Sequence, residues 1–129
     1  MTIFLLTMPD DLDLATKCAE RCAKQCFRDV LNPSIPVDKT VIPVLKLIKL
    51  VLQQFDTPVY DMLGGSAENK EGFSFAIAWV ITWFSHNIHT WKNLQRLYDL
   101  FLSRRPFFVI YFCAAFISEN KEAIAESLD

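Results

Sequence analysis

An all-α fold, a helical bundle, follows from three features of the sequence. Apolar residues recur at steps of three and four, as in Phe73, Ile77, Val80, Ile81, Phe84 and Ile88, the period of one helix face. No stretch alternates apolar and polar residues cleanly enough for a sheet. The punctuation is that of helices, with aspartates before a periodic run, prolines near helix starts and a Gly-Gly after a helix end.

Met1 to Met8 reads as a short apolar leader ending at Pro9, after which Asp10 or Asp11 caps a helix from about Leu12 to Leu31. Its cysteines, Cys18, Cys22 and Cys26, stand at i, i+4 and i+8. Eight residues at 1.5 Å rise cover about 12 Å, too far for one zinc site. With Ala15, Ala19 and Ala23 beside them they read as packing residues, and no metal is expected. Asn32-Pro33-Ser34-Ile35-Pro36 breaks this helix. The next starts at Asp38 or Thr40, with Pro43 in its first turn, where a missing N–H costs little. Its apolar residues from Val41 to Phe55 leave Lys46, Lys49 and Gln53 as a narrow polar stripe. Such a helix is largely buried or meets a partner on a broad front.

A short helix begins at Thr57-Pro58, as N-cap and first helical residue, and stops at Gly64-Gly65. No Lys-Ser/Thr follows the glycines, so no phosphate cradle and no cofactor is expected. Ser66 to Gly72 is a polar loop and the expected mobile segment. The helix from Phe73 has Ala76, Trp79 and Trp83 on the rest of its circumference, which makes it apolar nearly all round and hence buried. In the helix after it Leu94, Leu97, Tyr98 and Phe101 form the apolar stripe, with Arg96 and Asp99 three apart on one surface. Ser103-Arg104-Arg105-Pro106 marks a boundary, and Pro106 opens a core helix carrying Phe107, Phe108, Ile110, Tyr111, Ala114, Ala115 and Ile117. Glu119 to Leu128 is an acidic surface helix or tail.

At 129 residues the chain is one domain or part of one. Its 52% hydrophobic and 13% aromatic content predicts either membrane burial or apolar surface that a partner covers. The uncharged runs are too short for the roughly 20 residues of a spanning helix, so buried helices are the reading and no transmembrane segment is expected. A formal charge of -2 and a pI near 5.6 provide no basic face for nucleic acid. The N-terminus lacks the basic flank and length of a secretory signal, so an intracellular, reducing compartment with four free thiols is expected. His86 and His89, at i and i+3, could share a metal or a proton, but no cysteine or carboxylate lies near them in sequence. Asp10, Asp11 and Asp13 form a solvated cap, and no Ser-His-Asp or Cys-His constellation can be argued from spacing.

The segments AWVITWFSH and RLYDLFL, with CFRDVLNPSI, FDTPVYDML and PFFVIYFCAAFI around them, resemble the C-terminal half of TBC domains, the Rab GTPase-activating proteins. The matched positions are Trp79, Phe84, Arg96, Leu97, Tyr98 and Asp99, which the resemblance casts in a structural role. Tyr98 stands where the family commonly has tryptophan, and it and the Trp83–Phe84 pair are similar to the branch of TBC domain family member 20. The resemblance runs over residues 26–118. It leaves residues 1–25 as a leader and helix outside it, and 119–129 as an acidic tail. It implies an all-α bundle in which Trp79, Arg96 and Asp99 converge in one core site, with His86 at a helix end. Arg96 and Asp99 are then either a Rab contact or, the preferred reading, a half-buried ion pair between helices.

The activity the resemblance implies is stimulation of GTP hydrolysis on a bound Rab, which needs an arginine to offset phosphate charge and a glutamine to orient water. The family carries these on I-x-x-D-x-x-R and Y-x-Q motifs N-terminal to the matched blocks, and neither pattern occurs here. No catalytic, cofactor-binding or metal residue is therefore assigned, and the chain is expected to lack GAP activity by itself. The implied partners are a Rab-class GTPase and an N-terminal half of the TBC domain. The implied setting is cytoplasmic vesicle traffic, peripheral at the endoplasmic reticulum or Golgi. The alternatives are a catalytically inactive Rab-binding or scaffold module, or an unrelated helical oligomerisation domain.

Overall fold

A computed structural model of the chain describes residues 2–65, 73 and 75–128. Among these all regular structure is helical: α1 (Thr2–Thr7), α2 (Leu12–Cys26), α3 (Val37–Phe55), α4 (Thr57–Met62), α5 (Ala76–Thr82), α6 (Trp91–Ser103), α7 (Phe108–Glu119) and α8 (Lys121–Leu128). The architecture is built on α3, which packs against α7, α5 and α4; α7 also meets α5 and α8, and α1 pairs with α2. One face of α3 buries Val41, Leu45, Ile48 and Leu52, and α7 meets it with Val109, Ile110, Cys113, Ala114 and Ile117. Each fully buried aliphatic side chain of this kind contributes roughly 1.5–3 kcal/mol. No helix among the described residues is long and apolar enough to cross a membrane.

Helix starts follow the local chemistry. The Asp11 carboxylate accepts the Leu14 N–H at 2.9 Å and caps α2. Asp56, not Thr57, caps α4 by accepting the Val59 N–H, so Pro58 falls one residue later than expected. Gly64 takes the left-handed φ of +74° that ends α4. A Cβ on Gly65 would run into the Tyr60 ring, so that position needs glycine. Lys49 reaches from α3 to donate to the Gly64 carbonyl at 3.4 Å, its ammonium lying 5.6 Å and 5.9 Å from the Tyr60 and Phe73 ring centres. This cation turns one residue of the expected polar stripe into a clasp on the end of α4.

Several boundaries depart from expectation. The apolar leader is itself a helical turn and a half, α1, with Ile3 buried. Helix α2 stops at Cys26 rather than Leu31, because Phe27 leaves the helical path and its ring settles 4.7 Å from that of Trp83. Helix α3 starts at Val37, directly after Pro36, which puts Pro43 inside the helix instead of in its first turn. Nor is α3 largely buried, since Val37, Leu47, Leu50 and Phe55 are exposed. Ser66 to Gly72 lies outside the described residues.

Candidate functional site: an aromatic knot and an adjoining charged cleft

Helix α5 is half the expected length. It ends at Thr82 because Trp83 and Phe84 both adopt left-handed backbone, with φ of 48° and 64°. Bulky residues rarely enter this region, and each such residue costs on the order of 1–3 kcal/mol and persists only where its surroundings enforce it. Here the enforcement is aromatic. The Phe84 N–H donates to the Trp79 carbonyl at 3.2 Å, which closes the helix end. The reversal sends the two consecutive rings in different directions. Phe84 stacks on Trp79 at 5.2 Å and meets Phe112 and Phe116 of α7 edge-on at 5.4 and 5.6 Å. Trp83 turns to α6, with Tyr98 at 5.5 Å and Phe101 at 5.2 Å. Aromatic pairs at these separations add about 0.5–1.5 kcal/mol each beyond their burial.

Tyr98 completes the knot with its polar end. Its hydroxyl donates to the Thr82 carbonyl at 3.1 Å, which also accepts the Ser85 N–H at the end of α5. Burial raises its pKa above the ordinary phenol value, partly opposed by a hydrogen bond with Ser85, so it remains a donor at neutral pH. Trp79, Phe84, Leu97 and Tyr98 are thus all buried in one continuous core.

Arg96 and Asp99 are not with them. Both are exposed, and the ion pairs recorded among the described residues are Lys17–Asp13, Lys24–Glu20 and Arg28–Asp29. The expected half-buried Arg96–Asp99 pair, and its convergence with Trp79, are therefore corrected. Leu94, Leu97, Tyr98 and Phe101 define the inward face of α6, and the helical period turns positions 96 and 99 to the opposite side. Nearness in sequence to Leu97 and Tyr98 does not mean nearness on the helix surface. Arg96 and Asp99 instead line an open cleft of about 340 Å³ with Ile3, Phe4 and Thr7 of α1 and Cys18 of α2.

The remaining candidates separate as well. His86 and His89 are exposed, and His86 lies four residues past the end of α5. Cys22 is buried, Cys18 half-buried and Cys26 exposed. Burial, then the neighbouring Cys26, pushes the Cys22 thiol up to about 12, and burial alone does the same to Cys113. Both therefore stay protonated at neutral pH and are poor nucleophiles or metal ligands. No group of metal-ligating side chains is assembled among the described residues. What sequence reading missed is the set of ring partners Phe27, Phe112 and Phe116. The signal for two of them was present in the i, i+4 spacing of Phe108, Phe112 and Phe116.

The sequence model described as the Rab-GTPase-TBC domain matches residues 1–125. The protein named TBC1 domain family member 20 of Homo sapiens is 30% identical over 123 residues, which is 95% of this chain and 28% of that protein. Its counterpart in Bos taurus shows the same 30% identity and coverage. The protein named GTPase-activating protein gyp10 of Schizosaccharomyces pombe is 33% identical over 126 residues, 98% of this chain and 32% of that protein. The chain thus spans less than a third of the length of these curated relatives. No solved structure matches it.

Proposed function

The chain belongs to the Rab-GTPase-TBC domain family, and from that membership we propose that it forms the finger-less C-terminal half of a Rab GTPase-activating protein. The observation that carries the reading is the family match over residues 1–125 in a sequence that holds neither an I-x-x-D-x-x-R nor a Y-x-Q pattern. Acceleration of GTP hydrolysis needs a positive side chain against the developing phosphate charge and a polar one on the attacking water. No residue here stands in the motif context for either role, so both come from an N-terminal half of the domain. The contribution of this chain is mechanical. Its aromatic knot sets the angle between α5, α6 and α7 and thereby the wall against which finger-bearing helices are held. The matching setting is Rab regulation on the cytoplasmic face of early secretory membranes.

A second reading is favoured by one observation. Arg96 and Asp99 are exposed beside a cleft, as recognition residues of a Rab-binding module without catalytic power would be. The two readings part in a GTP-turnover assay with a panel of Rab GTPases. We expect no acceleration by the 129-residue chain alone, and acceleration would overturn the assignment of the fingers elsewhere. Restored turnover on adding a separately expressed N-terminal TBC half supports the first reading. Retention of GTP-loaded Rab that Arg96→Ala abolishes, with no turnover in either mixture, supports the second.

A further inference from the structure

The formal charge of -2 conceals an uneven distribution along the chain. Residues 73–118 hold Lys92, Arg96, Arg104 and Arg105 against one carboxylate, Asp99, a surplus of three positive charges that leaves -5 on the remainder. All four cations are exposed, on α6 or just past its end, and the ion pairs recorded among the described residues use none of them. Lys92 and Arg96 line one cleft with Leu102, so the positive side of α6 runs toward the turn that follows it. That turn, between α6 and α7, exposes every residue from Leu102 to Phe107. Leu102 is 45% exposed and Phe107 66%. The Arg104 guanidinium lies 5.8 Å from the Phe108 ring centre, which holds a cation at the base of the turn. Residues 103–107 line none of the larger clefts among the described residues. The turn is a projection that combines two arginines with two large apolar side chains.

We propose that the α6–α7 turn docks on a membrane surface that carries anionic phospholipids, with Leu102 and Phe107 in the headgroup–acyl boundary and Arg104 and Arg105 on the lipid phosphates. Docking of this kind needs apolar side chains that enter the boundary and basic ones that stay at headgroup level. Arginine meets the second need because its carbon stem runs along apolar surface while its head remains in water. Charge complementarity selects the occupant. No acidic residue stands between positions 100 and 118, so nothing on the turn opposes a negative surface. The core of a protein–protein interface is instead depleted of charged residues. The apolar groove between α3 and α7 is no rival for the same surface, since Asp56 and Glu119 line it and anionic lipid would repel them. The excess negative charge on the rest of the chain then points the molecule turn-first at the membrane. Attraction is modest, each arginine being worth about a fivefold change in partitioning, so the docking is reversible. It is independent of where the catalytic fingers reside.

The test is co-sedimentation of the purified 129-residue chain with vesicles of phosphatidylcholine alone and of phosphatidylcholine mixed with phosphatidylserine. We expect partitioning onto the mixed vesicles only, weakening as salt is raised from about 0.05 to 0.5 M. The double substitution Arg104→Gln, Arg105→Gln should lower it more than about tenfold. Phe107→Ser should lower it about tenfold and leave the salt dependence in place. Lys17→Gln with Lys24→Gln removes the same charge from exposed positions on α2 and should leave binding within about twofold of the parent, because the effect belongs to the turn and not to net charge. Equal binding to both vesicle types overturns the proposal, as does no binding to either, including the case in which the turn is captured by the N-terminal half of the domain instead. So does a loss with the lysine pair as large as with the arginine pair. The lipid and salt dependence of the parent chain decides the matter even where a variant fails to fold.

Discussion

Tyr98 is where the chemistry of a single side chain decides how two helices meet. Its ring packs on Trp83 while its hydroxyl adds a second donor to the Thr82 carbonyl at the left-handed end of α5. Tyr98→Phe keeps the ring and deletes the donor, so it should cost about 0.5–1.5 kcal/mol. That loss should be read as a lower urea midpoint with an unchanged slope. A second tie joins the start of α4 to α7. The Asp56 carboxyl is held below the usual carboxylate value first by the Ser118 hydroxyl, then by the Val59 N–H and the nearby Lys121 ammonium. A carboxyl with a depressed folded-state pKa contributes stability above its unfolded value of about 3.9 and loses it as pH falls through the folded value. Ser118→Ala should therefore lower the melting temperature near neutral pH, and the gap from the parent chain should close as pH drops below 4 by roughly the range of that depression. Melting curves of both proteins from neutral to acid pH check it. At this scale the sequence was only half legible. The aromatic residues announced a core, but nothing in Trp83-Phe84 announced a left-handed pair, because neither is the glycine or asparagine that usually marks one.

Among the elements, helix starts were easier to read than helix ends. A start is written in a few adjacent residues, as with Asp11 before α2. The ends of α2 and α5 are set by distant rings, Phe27 reaching Trp83 and Phe84 reaching Phe112 and Phe116. Helix α3 is the instructive middle case. Pro43 looks harmless in a first turn, yet the helix begins at Val37 and encloses it. Its ring removes the N–H that the Lys39 carbonyl would otherwise receive, on a side where both residues are exposed. Proline in a helix interior costs about 3 kcal/mol relative to alanine, less the roughly 0.4–1 kcal/mol that proline saves by restricting the unfolded chain. Pro43→Ala should then stabilise the fold by about 2 kcal/mol, seen as a raised chemical-denaturation midpoint. An unchanged or lowered midpoint would mean that the proline bends α3 into its fit against α7.

For the molecule as a whole, the apolar faces on α3 and α7 and the charged cleft on α6 are its unfinished business. The high apolar content is explained by two surfaces rather than one: a core shared by α3, α5, α6 and α7, and an outer groove lined by Val51, Phe55 and Tyr111. Patterning along the chain was sufficient for the helical class, the order of the helices and most of the core, and the motif blocks carried the resemblance to the TBC family. Each of these depends on residues near one another in sequence or on a motif that survives substitution. The apolar stripe of α6 was legible, but the early end of α5 and the cleft that Arg96 and Asp99 line with α1 and α2 were decided only in three dimensions. The reason is that both depend on contacts between residues far apart in the chain, the rings of Trp83 and Phe84 across the bundle and α1 folded back beside α6.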